Sequence, residues 1–396
     1  MVYLALSFSE DMTFWDQVLL GFSLLLTLNW VVVAGYVLLN SHKVPFLGDC
    51  PSVAEEQAPP VAIIVAVKDE EAELEQALTT LCQLQYSNAR IIAVNDRSTD
   101  QTPQILERMV RQYPNLTVLT IQELPDGWLG KNHALYQGYL ASAEEWMLFT
   151  DADVTFNAQA LHKAMGYVLA HRLDHLAVLP DITSRSALFR SVMSTFALML
   201  ELRQRPWDIR KPTSKASIGI GAFNLVRRSA YEKMGTHAAF SLRPDDDLKL
   251  GERIKAAGFR QDVAYGTDEV SLEWYTSLRE FVQGLMKNTF SISNYHLPTA
   301  LGMALATFLV FVLPLPLLLL SGSHGLAMAG VLVTSQLLLM VFKKGIQGKW
   351  WHAFMIPVAG AIIMYILLKS AFLTIQQGGI YWRDSFYSLK DLKKQR

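Results

Sequence analysis

Charge is scarce in this chain: Asp, Glu, Lys and Arg make up 18% of its 396 residues, against roughly 25% in ordinary soluble domains. Neither sign is in excess. The 35 basic and 36 acidic residues leave a net charge of −1, which excludes a polybasic nucleic-acid binder and an acidic disordered tail. Cysteine is nearly absent too. Cys50 and Cys82 alone exclude a disulfide scaffold and a Cys-rich zinc site. With 15 Pro and 23 Gly the chain is not of low complexity. The shortage of charge therefore has to be local, which points to a membrane part and a soluble part in one chain.

Formal charge is missing in blocks. Gln17–Ser41 has none, and Val18–Leu39 within it holds 22 nearly all apolar residues. At about 1.5 Å per residue that spans a hydrocarbon core of roughly 30 Å. No basic stretch precedes it and no small-residue cleavage site follows, so an uncleaved anchor is expected rather than a signal peptide. Asn288–Phe342 runs 55 residues without charge. It contains two predicted spans, Leu297–Leu320 and Leu326–Phe342, and a third apolar run covers Trp351–Ile375. The acidic residues before the first span (Glu10, Asp11, Asp16) and the basic ones after it (His42, Lys43) predict a cytoplasmic soluble domain in a multi-pass protein of the cell membrane. Three further crossings would put the basic tail (Arg383, Lys390, Lys393, Lys394, Arg396) outside, against that rule. One C-terminal segment is therefore expected to be re-entrant or interfacial, with Pro314, Pro316 and Pro357 as the residues able to break a helix. The expected organisation is an anchor over 1–47, a linker over 48–60, a soluble domain over 61–290, an apolar region over 291–376 and a basic tail over 377–396.

Within 61–290, short apolar runs alternate with helical patterns. Val61–Val67, Ala89–Val94, Leu116–Ile121 and Trp146–Phe149 read as buried strands. Helices are expected over Glu70–Leu84, Gln101–Gln112 (capped by Asp100) and Asn132–Ala143. This order argues a right-handed α/β fold with a mostly parallel sheet. Ligands bind such sheets beyond the carboxyl ends of the strands. Polar clusters lie there: Lys68-Asp69-Glu70-Glu71 after the first strand, Asn95-Asp96-Arg97-Ser98-Thr99-Asp100 after the second, and Asp151-Ala152-Asp153 after the fourth. Carboxylates near a helix start also serve as caps. Asp151 and Asp153, however, repel each other unless a cation or donor neutralises them. Two hard oxygen ligands that leave positions open for phosphate suit Mg2+ or Mn2+. His171 and His175 are the one i, i+4 histidine pair, but Arg172 replaces the glutamate of a His-Glu-x-x-His helix, so a solvated face is expected.

These motifs, in this order, resemble those of family 2 glycosyltransferases with the nucleotide-sugar-binding GT-A fold. Gly130-Lys131-Asn132 is similar to that family's Gly-Lys element. Gly219-Ile220-Gly221-Ala222-Phe223-Asn224 resembles its acceptor-side glycine loop, and Asp246-Asp247-Leu248-Lys249-Leu250 with Gly258-Phe259 its acidic motif. The resemblance implies a UDP-sugar donor. Asp96, with Asp69 and Glu70 at the same end, would receive the uracil, and Asp151 would sit near ribose and diphosphate. Asp153 and Asp151 would hold the metal, Lys131 would assist as a point charge, and Gly221 would lie on the diphosphate and acceptor side. Asp247 matches the general base of an inverting transfer, with Asp246 beside it, and Asp245 and Asp246 remain rivals. Three adjacent carboxylates repel, so at least one should have a raised pKa.

The Gln-x-x-Arg-Trp of processive polysaccharide synthases is absent. Gln283 matches its Gln, but Lys287 sits where Arg-Trp is approached and no Trp follows. The stretch Ser277–Asn288 and the tail Gly378-Gly379-Ile380-Tyr381-Trp382-Arg383 resemble instead membrane-bound bacterial relatives acting on hopanoid, carotenoid or glycerolipid acceptors. The implied activity is transfer of one sugar to a membrane lipid. The alternatives are a processive synthase and a non-catalytic membrane scaffold. Leu278–Tyr295 suits either an interfacial helix or an ordinary domain-packing one, and Ser191–Leu202 either an acceptor pocket or core.

Overall fold

The computed structural model describes residues 13–184, 186–286, 289–345, 348–382 and 385–394. Glu10, Asp11, Arg383 and Arg396, which entered the orientation argument, lie outside them, as does Lys287. A long apolar helix, α1 (Phe14–Ser41), precedes the α/β part. There the order is β1 (Val61–Val67), α2 (Leu74–Cys82), β2 (Ala89–Asp96), α3 (Thr102–Gln112), β3 (Leu116–Ile121), α4 (Gly130–Leu140), β4 (Trp146–Thr150), β5 (Thr155–Phe156), α5 (Ala160–His171), β6 (His175–Leu179), β7 (Asp181–Ile182) and α6 (Ala187–Gln204). Then come β8 (Asn224–Arg227), α7 (Arg228–Lys233), α8 (Asp246–Ala256), β9 (Gln261–Tyr265), β10 (Val270–Leu272) and α9 (Leu278–Leu285).

The main sheet has the order β3-β2-β1-β4-β8-β6-β9. Its first four strands are parallel, and β8 runs antiparallel to both β4 and β6. Alternate residues of β1 enter different cores. Ile63, Val65 and Val67 pack with Leu78, Leu148 and Val168, whereas Ala62 and Ile64 pack with Leu135, Phe149 and Tyr231. Burial on both faces is why these strands read as unbroken apolar runs. Because β2 and β4 flank β1 in the same direction, the turns leaving all three open onto one edge of the sheet.

Three expectations need correction. The helix expected from Glu70 starts at Leu74, because the preceding turn is recruited by the loop after β2. Backbone N–H groups of Asp69, Glu70 and Glu71 donate to Ser98, Thr102 and Asp100, while Asp69 and Glu71 accept from the N–H groups of Thr99 and Gln101. His171 and His175 do not share a helix face. Arg172, at φ 52, ends α5, and His175 is fully buried in β6 between Asn224 and Gln261. Burial lowers its pKa to about 4. Leu278–Tyr295 is not one helix either: α9 ends at Leu285 and a separate 3-10 turn spans Thr289–Ser293.

Beyond α9 the apolar helices are α10 (Leu297–Thr307), α11 (Pro314–Leu320), α12 (Gly322–Phe342) and α13 (His352–Gln376). A π-helical turn, Phe308–Val312, precedes Pro314, and the α10–α11 pair is bent by 48°. This break frees the Val310 carbonyl to accept from Trp30 Nε1 of α1 at 2.7 Å. Pro357 does not break α13, which runs through it; packing against neighbouring helices can compensate for the lost hydrogen bond. Among the described residues three helices are long and apolar enough to cross a membrane, or four if the bent pair is one span. The α/β part grips this region at several points. Lys343, fully buried, pairs with Glu201 of α6 at 2.8 Å. The His352 ring is 2.8 Å from Ser194 Oγ, and Ser370 Oγ accepts from Phe290 N–H at 3.0 Å. After α13 come a two-stranded hairpin, β11 (Gly379–Trp382) with β12 (Ser385–Ser388), and the short α14 (Leu389–Lys393).

Candidate active site

The turns after β1, β2 and β4 enclose a cleft of about 280 Å³. Lys68, Glu70, Asp96, Arg97, Gly130, Lys131, Asp151 and Asp153 line it, with Trp274, Ser385 and Tyr387 closing it. Asp69 does not line this cleft. Its left-handed backbone (φ 51) and its carboxylate, bonded to the Thr99 N–H at 2.7 Å, stitch the first two turns together. Asp96 is 3% exposed and held by the Arg97 guanidinium at 2.8 and 3.0 Å. A Cβ at Gly130 would strike the Asp96 carboxylate, so the glycine that opens α4 is required by close approach.

Lys131, in the first turn of α4, is the electrostatic centre. Its Nζ lies 2.6 Å from Asp151 Oδ1 and 3.8 Å from Asp246 Oδ1. Burial alone would lower the ammonium pKa, but Asp151, Asp246 and Asp247 outweigh it and hold the charge firmly. Asp153 differs. Its Oδ1 is buried without a hydrogen-bond partner, and burial together with Asp151 and Glu70 lifts its carboxyl to about 7. Such an oxygen fits a cation ligand. No group of three or more His, Cys, Asp or Glu suited to a metal occurs among the described residues. A cation at Asp151 and Asp153 would then take its other ligands from phosphate and water, as Mg2+ and Mn2+ do.

A second, narrow pocket adjoins the first through Lys131 and Asp151 and is lined by Gly221, Asn224, His237, Asp246 and Asp247. Asp247 Oδ2 accepts from the Gly221 N–H at 3.0 Å and Oδ1 from the Leu248 N–H at 2.8 Å. Burial raises the Asp247 pKa against the pull of Lys131 and these two donors. Burial also raises Asp246, to about 7. Asp245 is committed elsewhere: Arg243, 1% exposed, grips both of its oxygens at 2.8 and 2.7 Å. Asn132 reaches the carbonyls of Phe240, Ser241 and Arg243 at 3.0–3.1 Å and so pins this loop to α4.

The structure thus gathers Glu70, Asp96, Lys131, Asp151, Asp153, Gly221, Asp246 and Asp247 into two touching pockets. Gln283 is exposed on α9 and lines neither. Sequence reasoning missed Trp274, Ser385 and Tyr387 as parts of the site, and Arg243 as the partner that takes Asp245 out of it. For Arg243 a signal existed in a basic residue standing beside three aspartates.

Residues 62–235 match the family described as Glycosyl transferase family 2. The chain is 29% identical over 194 residues to a beta-monoglucosyldiacylglycerol synthase of Nostoc sp., a match covering 48% of this chain and 40% of that protein. It is 26% identical over 218 residues to a 4,4'-diaponeurosporenoate glycosyltransferase of Staphylococcus aureus, covering 54% and 56%. The chain spans about half the length of the curated relatives it matches. In structure it is similar to the mannosyltransferase PcManGT of Pyrobaculum calidifontis, solved with GDP-Man and Mn2+, with a TM-score of 0.54, 16% identity and 91% and 99% of the two chains covered. The α/β sheet is of the GT-A type.

Proposed function

We propose, for a chain whose residues 62–235 match glycosyltransferase family 2, an inverting transfer of one sugar from a nucleotide sugar, UDP-linked, to a membrane lipid. The observation that carries this reading is the meeting of three strand-end carboxylate clusters around Lys131 in one cleft, next to a second pocket holding Asp246 and Asp247. The nucleoside would lie towards Glu70 and Asp96, and the diphosphate towards Lys131 and the start of α4, where backbone N–H groups favour anions. Asp151 and Asp153 would hold Mg2+ or Mn2+, which when bound stabilises charge on the departing nucleoside diphosphate. Asp247, oriented by the N–H groups of Gly221 and Leu248, would take the proton from the acceptor hydroxyl as its oxygen attacks the anomeric carbon. Asp246 would share that proton load, since a carboxyl near pH 7 suits a general base.

The named activities of the two relatives support a lipid-like acceptor. So does the continuity of the acidic motif's surroundings with the apolar helices: Leu242 packs with Phe290, Ala300 and Leu367. We place the protein in the cell membrane with its catalytic part cytoplasmic. Membranes carrying the chain, incubated with a panel of labelled UDP- and GDP-sugars, should yield one labelled lipid on extraction; label in a long glycan instead would refute single transfer. Asp247→Asn should reduce transfer by at least about 100-fold while nucleotide binding persists, and retained turnover would move the base elsewhere.

A further inference from the structure

The cleft is not closed by the α/β part alone. Two of its lining residues, Ser385 and Tyr387, come from β12, which follows every apolar helix in the chain. Their spacing of two puts both on one face of the strand. Across the hairpin, Ile380 pairs with Tyr387 and Tyr381 with Phe386. Ile380 is 3% exposed, whereas Tyr381 and Phe386, with ring centres 5.0 Å apart, are 59% and 47% exposed on the opposite face. The hairpin therefore has an inner side that meets the cleft and an outer side that does not.

Its position is fixed by packing. Ile380 and Leu392 join Leu242, Phe290, Tyr295 and Ala371 in one core. Leu389 N–H donates to the Gly378 carbonyl at 2.8 Å, and Ser388 caps α14 through the Asp391 N–H. Leu242 stands four residues before Asp246, so the hairpin and the acidic motif share a foundation. Among the residues lining the cleft, Trp274 and Tyr387 are the aromatic ones, and Tyr387 shares its end of the cleft with Asp96 and Arg97.

We propose that Tyr387, with Ser385 beside it, is a donor-binding residue that walls the nucleoside end of the cleft, its ring against the base. This rests on the glycosyltransferase reading above. A base offers a π-face to any aromatic ring, so such stacking does not depend on which base is bound.

The test is binding of UDP and of GDP, each with Mn2+, to the full chain in detergent, with donor KM measured alongside. Tyr387→Ala should weaken nucleotide affinity roughly ten-fold and raise donor KM with kcat little changed. Tyr387→Phe should lose far less, and Phe386→Ala on the outer face should bind as wild type does. Unchanged affinity in Tyr387→Ala overturns the proposal. So does an equal loss in Phe386→Ala, which would mark damage to the hairpin as a whole. If the wild-type chain binds neither nucleotide, the glycosyltransferase reading itself falls and takes the proposal with it.

Discussion

Asp246 carries a cost that can be measured. Burial lifts its carboxyl from 3.8 to about 7, so the native state binds a proton that the unfolded chain has released. Stability contributed by that proton is present at low pH and declines as pH rises from about 4 through 7. Asp246→Asn removes the titration. Its thermal midpoint should exceed that of wild type by a few degrees at pH 8, and the gap should shrink at pH 5. Calorimetry of the metal-free protein in detergent checks this, and an equal gap at both values would show that Asp246 is not the group responsible. Activity should move the other way, rising with pH as the carboxylates of Asp246 and Asp247 ionise. Stability and the proposed chemistry would thus pull one residue in opposite directions.

At the scale of elements, the loop before β8 clasps both halves of the site. Gly221 donates its N–H to Asp247, and a Cβ there would strike the Asp151 carboxylate. Gly221→Ala should therefore cost at least about ten-fold in turnover by displacing Asp151 and Asp247 together, a loss in line with misplacing reacting groups by about 1 Å, with little change in melting temperature. Wild-type kinetics would mean that the loop yields without moving either carboxylate. The strands and carboxylate clusters were legible because a parallel strand buried on both faces leaves a run such as Val61–Val67, and its ligand groups must follow at the next turn. The late start of α2 was not legible, since it depends on hydrogen bonds to Ser98, Asp100 and Thr102 across the sheet edge. Nor was the place of Tyr387. No local pattern ties β12 to a glycine at position 130, and only the tertiary packing of Ile380 and Leu392 does so.

For the whole molecule, the points where the apolar region touches the α/β part constrain how the chain threads a bilayer. The chain leaves that part after Ser293, rejoins it at Lys343 on Glu201 and at His352 on Ser194, and rejoins it again with β12 in the cleft. Between two points on the same side, crossings are even in number. The bent α10–α11 pair and α12 would satisfy this as an outward and a returning leg. Alone, α13 would satisfy it by not crossing, despite 25 residues of high hydropathy. Both its flanks are basic, with Lys343, Lys344 and Lys349 before it and Lys390, Lys393 and Lys394 after it, which favours one side for both. Phe354, Val358, Tyr365 and Phe372 form an exposed stripe along it, and Lys369 bonds to the Tyr365 hydroxyl at 2.7 Å, as suits a helix lying at the lipid surface. Single cysteines at Lys349 and Gln377 should react with an impermeant reagent from the same face of sealed vesicles, and one at Ser323 from the other. Labelling of positions 349 and 377 from opposite faces would make α13 a crossing helix.

The seat of β12 in the cleft also sets an order in time. The α/β part leaves the ribosome long before α10 to α13, and its strands can pair as soon as they emerge. Its cleft, however, stays open along one wall until the last apolar helix has been placed and the hairpin has docked. A chain whose last helices are not yet in place therefore holds the carboxylates without the enclosure, and the finished pocket is a sign that the C-terminal hairpin has docked.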